Sequence, residues 1–250
     1  MCDWRPPVAN QPGKAPPMAQ TPQTIDLPGD PPLTVTLRRS DRARRLALRV
    51  SRVDGSVTLT LPARASLRTA LAFLDDRRAW LDQAVAGLAG PVAVTPGTPL
   101  PIEGEPRVLT PAAVRAPRVD GGALLVPQAR PIASAQAFLR LLARDRLAAR
   151  VAAHAATLGR PVGKLTLRDT RSRWGSCTAS GDLMFSWRLA MAPPRILDYV
   201  AAHEVAHRIQ MNHSPAFWAE VAHLFPAHAE ARRWLKTHGN ALHRFRFEGA

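Results

Sequence analysis

A single motif inside an apolar stretch limits what this chain can fold into more than any other feature. His203, Glu204 and His207 form an H-E-x-x-H element within residues 197–218, LDYVAAHEVAHRIQMNHSPAFW. Two histidines four residues apart lie one turn above each other on one helix face, so both imidazoles can reach the same ion. The glutamate between them can act as general base on a water that the metal activates. The motif therefore predicts a helix carrying two ligands and the base of a zinc protease site.

A catalytic zinc ion usually takes three protein ligands, so one more must follow the motif. His213 lies six residues after His207, which on a continuous helix means a rotation of about 600° and a rise of about 9 Å. We therefore expect the helix to end at Asn212, which tolerates left-handed backbone, and a new helix to begin at Ser214-Pro215. This break favours His213 as the third ligand. The alternatives are Glu220, His223, His228 and Glu230.

The spacing from the motif to His213 equals that of metzincins, H-E-x-x-H-x-x-G-x-x-H. Gln210 stands where that pattern has its glycine, and no methionine follows Met211 to form a Met-turn. Both departures exclude the metzincin interpretation.

Composition indicates a globular intracellular protein. Of the 250 residues 46% are hydrophobic, and no run of 18 apolar residues occurs, so we expect no membrane span. The N-terminus is rich in proline and lacks the apolar core of a secretory signal, which makes a cytoplasmic location the default. Cys2 and Cys177 are the only cysteines, so we expect no disulfide framework and interpret Cys177 as a small buried residue.

The formal net charge of +15 permits a polyanionic partner such as nucleic acid without demanding one. Much of this charge is concentrated between the first two predicted strands, in an Arg-rich segment (residues 38–49). Its arginines are Arg38, Arg39, Arg42, Arg44, Arg45 and Arg49. A phosphate-binding patch and a solvated loop with an outward strand face are both open interpretations. Composition does not indicate an oligomeric state.

The first half of the chain is predicted to hold a disordered Pro-rich leader (residues 1–30) and a β-rich region with one helix (residues 31–130). Alternating apolar residues predict three antiparallel strands over 33–37, 46–50 and 57–61, with a turn at Asp54-Gly55. A helix is predicted from Ser66 to about Ala89. Short strands are expected around 107–109 and 123–126.

Residues 131–250 are predicted to form the catalytic domain. A helix runs from about Ser134 to Leu158 and ends at Gly159, a strand covers 165–168, and a hairpin turns at residues 178–182. Pro193-Pro194 precedes the motif helix. The predicted fold class is α+β, with the motif helix packed on a small antiparallel sheet and a β-rich region before it.

A series of short motifs carries a family resemblance. In order along the chain they are W-G-S-C (174–177), F-S-W-R-L (185–189), A-P-P (192–194), L-D-Y-V (197–200), H-E-V-A-H (203–207), N-H-S-P-x-F-W (212–218) and R-R-W-L (232–235). The chain closely resembles the YgjP-like metallopeptidase family, which is similar to the SprT and WLM zinc proteases. The resemblance implies a minimal zincin-like domain with zinc on His203, His207 and His213 and with Glu204 as the base.

The expected activity is hydrolysis of a peptide or protein substrate. The predicted strand over 185–189 is a candidate to hold an extended peptide by strand addition. Arg173, Arg188 and Tyr199 are candidates to stabilise the oxyanion, and the sequence does not choose among them. Residues 172–176 are interpreted as a structural turn around Trp174.

Two rival functions remain open at this point. Some SprT and WLM relatives are associated with DNA, and the Arg-rich segment could tether a protease to nucleic acid in the same way. A non-catalytic zinc scaffold is the other, and it would require four protein ligands.

Overall fold

The structure is a computed structural model that describes residues 23–29, 32–51, 55–86 and 90–248. Over these residues the chain divides into two units. The first comprises the described residues up to Arg49 together with Val57–Arg77. The second comprises Val50–Ser56 and the chain from Arg78 onward.

Four strands and one helix build the first unit. They are β1 (Gln23–Leu27), β2 (Leu33–Ser40), β3 (Ala47–Val50), β4 (Val57–Pro62) and α1 (Leu67–Asp76), and the sheet order is β1-β2-β4-β3. Alternation along β2 and β4 buries one face of each strand, including Val35 and Leu59. Ser66 begins α1 as predicted, because its hydroxyl accepts a hydrogen bond from the Thr69 N–H at 3.1 Å.

Two features of this sheet differ from the prediction. β1 lies inside the predicted disordered leader and pairs antiparallel with β2; residues 1–22 are outside the described part of the chain. β2 and β4 pair in parallel rather than antiparallel, with Val35 opposite Val57. A parallel pair needs a long connection, and the segment between these strands is long enough to contain β3. Asp54 of the predicted turn lies outside the described residues.

The helix predicted over residues 66–89 is interrupted. α1 ends at Asp76, and a second helix, α2 (Arg78–Ala86), begins after Arg77; residues 87–89 are not described. The interruption coincides with the boundary between the two units. Periodicity did not show it, because an apolar stripe continues through a one-residue break.

The second unit contains a further sheet and a long helix. The strands are β5 (Val92–Ala93), β6 (Pro99–Ile102), β7 (Glu105–Ala112), β8 (Arg118–Asp120) and β9 (Ala123–Pro127), and β6–β9 form a sheet in the order β6-β7-β9-β8. α3 (Pro131–Leu158) follows and ends, as predicted, at Gly159 with φ +64°. Leu109 and Leu124 belong to the same core as Leu139 of α3. This unit therefore starts well before the predicted boundary at residue 131.

The rest of the unit carries the motif. Its elements are β10 (Leu165–Arg168), β11 (Gly175–Cys177), β12 (Leu183–Ser186), a 3-10 turn (Trp187–Met191), α4 (Pro194–Ala206), α5 (Pro215–Leu224), α6 (His228–Leu242) and β13 (Phe245–Arg246), which pairs with β5. β11 and β12 form the predicted hairpin, whereas β10 pairs with β12 in parallel. The α+β class is confirmed, and the sheet beside the motif helix is mixed rather than antiparallel.

Within the described ranges, no helix combines the length and the apolar character that crossing a bilayer requires.

Candidate metal centre

Three imidazoles converge where α4 ends. One nitrogen each of His203, His207 and His213 lies within 4.8 Å of the others. The Nε2 atoms of His203 and His213 are 3.2 Å apart. Two nitrogens bonded to one tetrahedral zinc ion at about 2.1 Å would be about 3.4 Å apart. The structure thus brings together the three ligands expected from the sequence, with His203 and His213 at the separation that a small metal ion requires.

The end of the motif helix lies earlier than predicted. α4 stops at Ala206, and the Arg208 and Ile209 N–H groups bond back to Val205 and Ala206 in a tighter turn, at 2.9 and 3.0 Å. Asn212 has no left-handed backbone, so the predicted helix end at Asn212 was wrong.

Asn212 instead shapes the turn that leads into α5. Its Oδ1 atom accepts a hydrogen bond from the Ser214 N–H at 3.0 Å, which is an Asx turn. The Ser214 hydroxyl accepts in turn from the Phe217 N–H at 3.4 Å and begins α5 as predicted. These two bonds hold the turn that presents His213.

Neighbouring groups orient the imidazoles. The Gln210 carbonyl lies 2.8 Å from Nδ1 of His207, which favours a proton on Nδ1 and leaves the Nε2 lone pair for a metal. The Phe217 ring stacks on His207 with centroids 4.5 Å apart and meets His203 edge-on at 4.9 Å. The buried Phe217 ring therefore restricts both His203 and His207.

The surroundings favour the neutral form of the two motif histidines, His203 and His207. Burial, followed by the charges of His207, His213 and Arg232, lowers the pKa of His203 to about 3. Burial also lowers the pKa of His207. Neutral imidazole is the form that binds metal, so His203 and His207 can bind a zinc-like ion without losing protons first.

Glu204 has a buried side chain and follows the first residue of the histidine triad, which is His203, His207 and His213. Only 5% of the residue is exposed, and burial raises the pKa of its carboxyl to about 8 against the opposing charge of Arg173. A pKa near neutral pH suits a group that has to accept and release a proton. The position matches the role that the motif assigns to this residue.

Gly175 of β11 makes room for the Glu204 side chain. A Cβ atom at this glycine would lie 2.5 Å from Oε1 and 2.6 Å from Cγ of Glu204. The sequence interpretation of residues 172–176 as a turn missed this contact. The W-G-S-C motif was the available signal, because glycine within a strand often marks a close approach of another group.

The oxyanion candidates have different surroundings. Arg188 is 5% exposed; its Nε bonds to Asp169 at 2.6 Å and its Nη1 to the Leu242 carbonyl at 2.9 Å. This side chain is committed to holding the C-terminal end of α6, which removes it from the candidates. Tyr199, whose pKa burial raises to about 12, lies with its ring 6.0 Å from that of His203. Tyr199 and Arg173 remain candidates to stabilise the oxyanion.

The alternative ligands do not join the triad. Among the described residues, the cluster of potential metal ligands comprises only His203, His207 and His213. Glu230 pairs with Arg195 at 2.6 Å, and the His228 ring stacks on Trp218. Three protein donors leave a coordination position open, which argues against the four-ligand scaffold hypothesis.

Cys177 lies closer to this site than expected. It is half-buried rather than buried, and its Sγ donates to the Thr178 carbonyl at 3.3 Å. Burial, followed by the charge of Glu204, raises the pKa of the thiol. The protonated thiol is therefore favoured, which agrees with a packing role.

A helix ending in converging imidazoles, with a buried carboxyl beside them, defines a metal-dependent hydrolase. Residues 44–238 match the family model "YgjP-like, metallopeptidase domain", and the chain belongs to this family. The resemblance seen in the sequence motifs is confirmed.

One solved structure is similar to part of the chain, that of the metallopeptidase zymogen abylysin from Pyrococcus abyssi. The sequences are 23% identical, the match covers 36% of this chain and 93% of that one, and the TM-score is 0.33. No curated protein matches the chain.

Proposed function

We propose that this chain is a zinc-dependent peptidase in which His203, His207 and His213 hold the metal and Glu204 is the general base. The observation that carries the proposal is the buried Glu204 carboxyl within a motif whose two histidines converge with His213; among the described residues this cluster offers three donors, one fewer than a closed site needs. When bound, zinc supplies a Lewis acid that activates water and polarises a carbonyl.

The residues of the chain supply the proton transfer. Glu204 takes a proton at a carboxyl oxygen as the water attacks, and it then delivers this proton to the leaving amine. Gly175 leaves room for the carboxyl on the β11 side. Tyr199 and Arg173 are the remaining candidates to donate a hydrogen bond to the oxyanion. The Tyr199 hydroxyl stays protonated up to high pH, and its ring lies 6.0 Å from that of His203.

An extended peptide would pair with β11 rather than with residues 185–189. β12 lies between β10 and β11, so both of its edges are already paired, and residues 187–191 form a buried 3-10 turn instead of a strand. The earlier candidate is therefore wrong. β11 is at the edge of this sheet, and its Gly175 contacts Glu204.

The deciding experiment compares wild type with Glu204→Gln. The amide keeps the shape of the side chain but cannot accept the proton, so we expect peptide hydrolysis to fall by about 10²–10⁴-fold. The zinc content should stay equal to that of wild type. Glu220→Gln, which changes a half-exposed carboxyl on α5 outside the triad, is the matched control. Undiminished hydrolysis by Glu204→Gln would rule out Glu204 as the general base.

A second candidate function is a peptidase tethered to nucleic acid. The observation that supports it is the exposure of all six arginines of the Arg-rich segment, although Arg39 also donates to the Ala63 and Ala65 carbonyls at 2.8 Å. Duplex or single-stranded DNA should then bind with an affinity that falls steeply with salt. No binding at low salt, or equal binding by Arg42→Gln/Arg44→Gln/Arg45→Gln, removes this candidate.

A further inference from the structure

A cavity lies beside the histidine triad in the same unit. Its volume is about 510 Å³, and it is lined by Trp218, His228, Ala229, Arg232, Arg233 and Lys236. This volume falls within the range of about 300–1,000 Å³ typical of ligand pockets. The cavity is large enough for an amino-acid side chain with its neighbouring backbone.

Trp218 lines this cavity and also contacts the metal centre. Its ring centroid is 5.7 Å from that of His203 and 6.0 Å from that of His213. The Arg232 guanidinium lies over the same ring, 4.7 Å from its centroid, which restrains the arginine by a cation–π contact. A substrate residue next to the scissile bond would thus need to extend only past one tryptophan to enter the cavity.

The lining of the cavity is positively charged. Arg232, Arg233 and Lys236 contribute three cations, and no Asp or Glu is among its described lining residues. Glu230, in the first turn of α6, has its carboxylate engaged by Arg195 at 2.6 Å. Because Glu230 is paired with Arg195, it does not neutralise the three cations that line the cavity.

Two further observations indicate that a polar group belongs here. Nδ1 of His228 is buried and has no hydrogen-bond partner among the described residues, which is a costly arrangement unless a ligand or solvent supplies one. His228 and Ala229 are the first residues of α6, where the helix dipole favours an anion. The His228 N–H already donates to the Phe225 carbonyl at 3.0 Å.

We propose that this cavity is the subsite that binds a carboxylate of the peptide substrate. The carboxylate is either an Asp or Glu side chain near the scissile bond or the C-terminal group of a peptide. Arg232 offers the planar donor pair that fits a carboxylate, and Lys236 adds a second charge from the next turn of α6. The inference rests on the proposed peptidase function and assigns its substrate class.

Binding to the Glu204→Gln variant tests the subsite without turnover. A neutral labelled peptide is prepared with one Glu moved through successive positions, alongside matched Gln and Lys versions, each with a free or an amidated C-terminus. At one position the peptide with Glu should bind about 10–100-fold more tightly than the peptide with Gln, and the peptide with Lys should bind more weakly than both. A dependence on the free C-terminus alone would identify the terminal carboxylate as the ligand.

Variants of the residues that line the cavity test which side chains cause the preference for Glu over Gln. Arg232→Gln and, separately, Lys236→Gln should each reduce the Glu-over-Gln ratio at least threefold. Arg144→Gln, which changes an exposed arginine of α3 outside the cavity, should leave the ratio unchanged. Lys236 is exposed, so its variant is informative even if Arg232→Gln perturbs the Trp218 stack.

The possible outcomes separate this inference from the proposed function. Equal binding of the Glu, Gln and Lys peptides with either C-terminus would overturn the subsite, even if wild type cleaves them. A preserved preference in both lining variants would also overturn it. If acidic peptides bind preferentially and wild type cleaves none of them, the subsite stands and the peptidase function falls.

Discussion

At the scale of single residues, the site depends on one glycine that contacts no ligand. Gly175 lies on β11, paired with Phe185 of β12, and the hairpin brings its backbone against Glu204. The absent side chain is what lets a carboxyl fit between a strand and the motif helix. Any side chain at this position would compete with Glu204 for the same volume.

Gly175→Ala should therefore displace Glu204. A Cβ atom 2.5 Å from Oε1 cannot be accommodated without movement, so we expect stability to fall by about 1–3 kcal/mol. Hydrolysis should fall at least tenfold, since a displacement of about 1 Å can cost up to about 10²-fold in rate. Denaturant unfolding and peptide-cleavage rates are the measurements.

Gly122→Ala is the matched control, because a Cβ atom there meets nothing within 4 Å. It should leave both stability and rate close to wild type. A Gly175→Ala enzyme as active as this control would contradict the steric role given to Gly175.

At the scale of elements, α4 is held from the side opposite the triad by α3. His154 Nε2 and Arg150 Nε of α3 lie 2.6 and 2.7 Å from the same Asp198 carboxylate oxygen of α4. Although burial alone would raise the pKa of Asp198, these bonds lower it overall. An isolated helical histidine such as His154 gives no sign in the sequence that it forms this contact.

The turn between α4 and α5 provides a second prediction. Ser214→Ala removes the cap of α5, which should cost about 1 kcal/mol of stability. Because the same turn presents His213, zinc affinity should fall by about fivefold, the equivalent of that free energy. Competition with a chromophoric chelator measures the affinity.

Ser66→Ala controls for the general effect of losing a cap. Ser66 begins α1 of the first unit by the same side-chain bond, at 3.1 Å. We expect a similar loss of stability with unchanged zinc affinity. Equal affinities in both variants would show that the cap of α5 does not position His213.

At the scale of the whole molecule, a buried histidine links stability to pH. His243 is 3% exposed, stacks against Trp174 with centroids 4.8 Å apart, and its Nδ1 has no partner among the described residues. Burial, followed by the charge of Arg188, lowers the pKa of His243 from 6.5 to about 4. Between these two values the unfolded chain binds a proton that the folded chain does not, so stability decreases as the pH falls.

His243→Phe should weaken this pH dependence. Phenylalanine keeps a ring against Trp174 but cannot bind a proton. The loss of unfolding free energy from pH 7 to pH 4 should be smaller in the variant, by at most about 3 kcal/mol. Urea unfolding at several pH values measures it. Above pH 7 the two proteins should differ only by a constant offset, and parallel curves below pH 6.5 would refute the assignment.

Much of the site could be predicted from the sequence, because its information is local. The i, i+4 spacing of His203 and His207 places both on one helix face whatever surrounds it. The residues after them must interrupt the helix for His213 to approach, and Ser214-Pro215 marked the next start. The family motifs indicated the class of enzyme independently of these geometric arguments.

Other features of the fold depend on contacts between distant segments. The parallel pairing of β2 with β4, the place of β12 between two strands, and the engagement of Arg188 by Asp169 are such contacts. Periodicity reports which face of a strand is buried, and it does not report which strand lies beside it. The sequence also did not predict that α4 ends at Ala206, because several backbone conformations are compatible with the residues that follow the motif.

By itself, then, the sequence determined the chemistry: which side chains can bind a metal, which can move a proton, and which family the chain resembles. Only the tertiary structure decided that Gly175 opens space for Glu204 and that β12 is a central strand with β11 at an edge of the sheet. It also decided that Trp218, which contacts His203 and His213, lines a basic cavity. The physical reason is that residue types and short spacings set local chemistry. The space around a site is set by segments that meet only when the chain has folded.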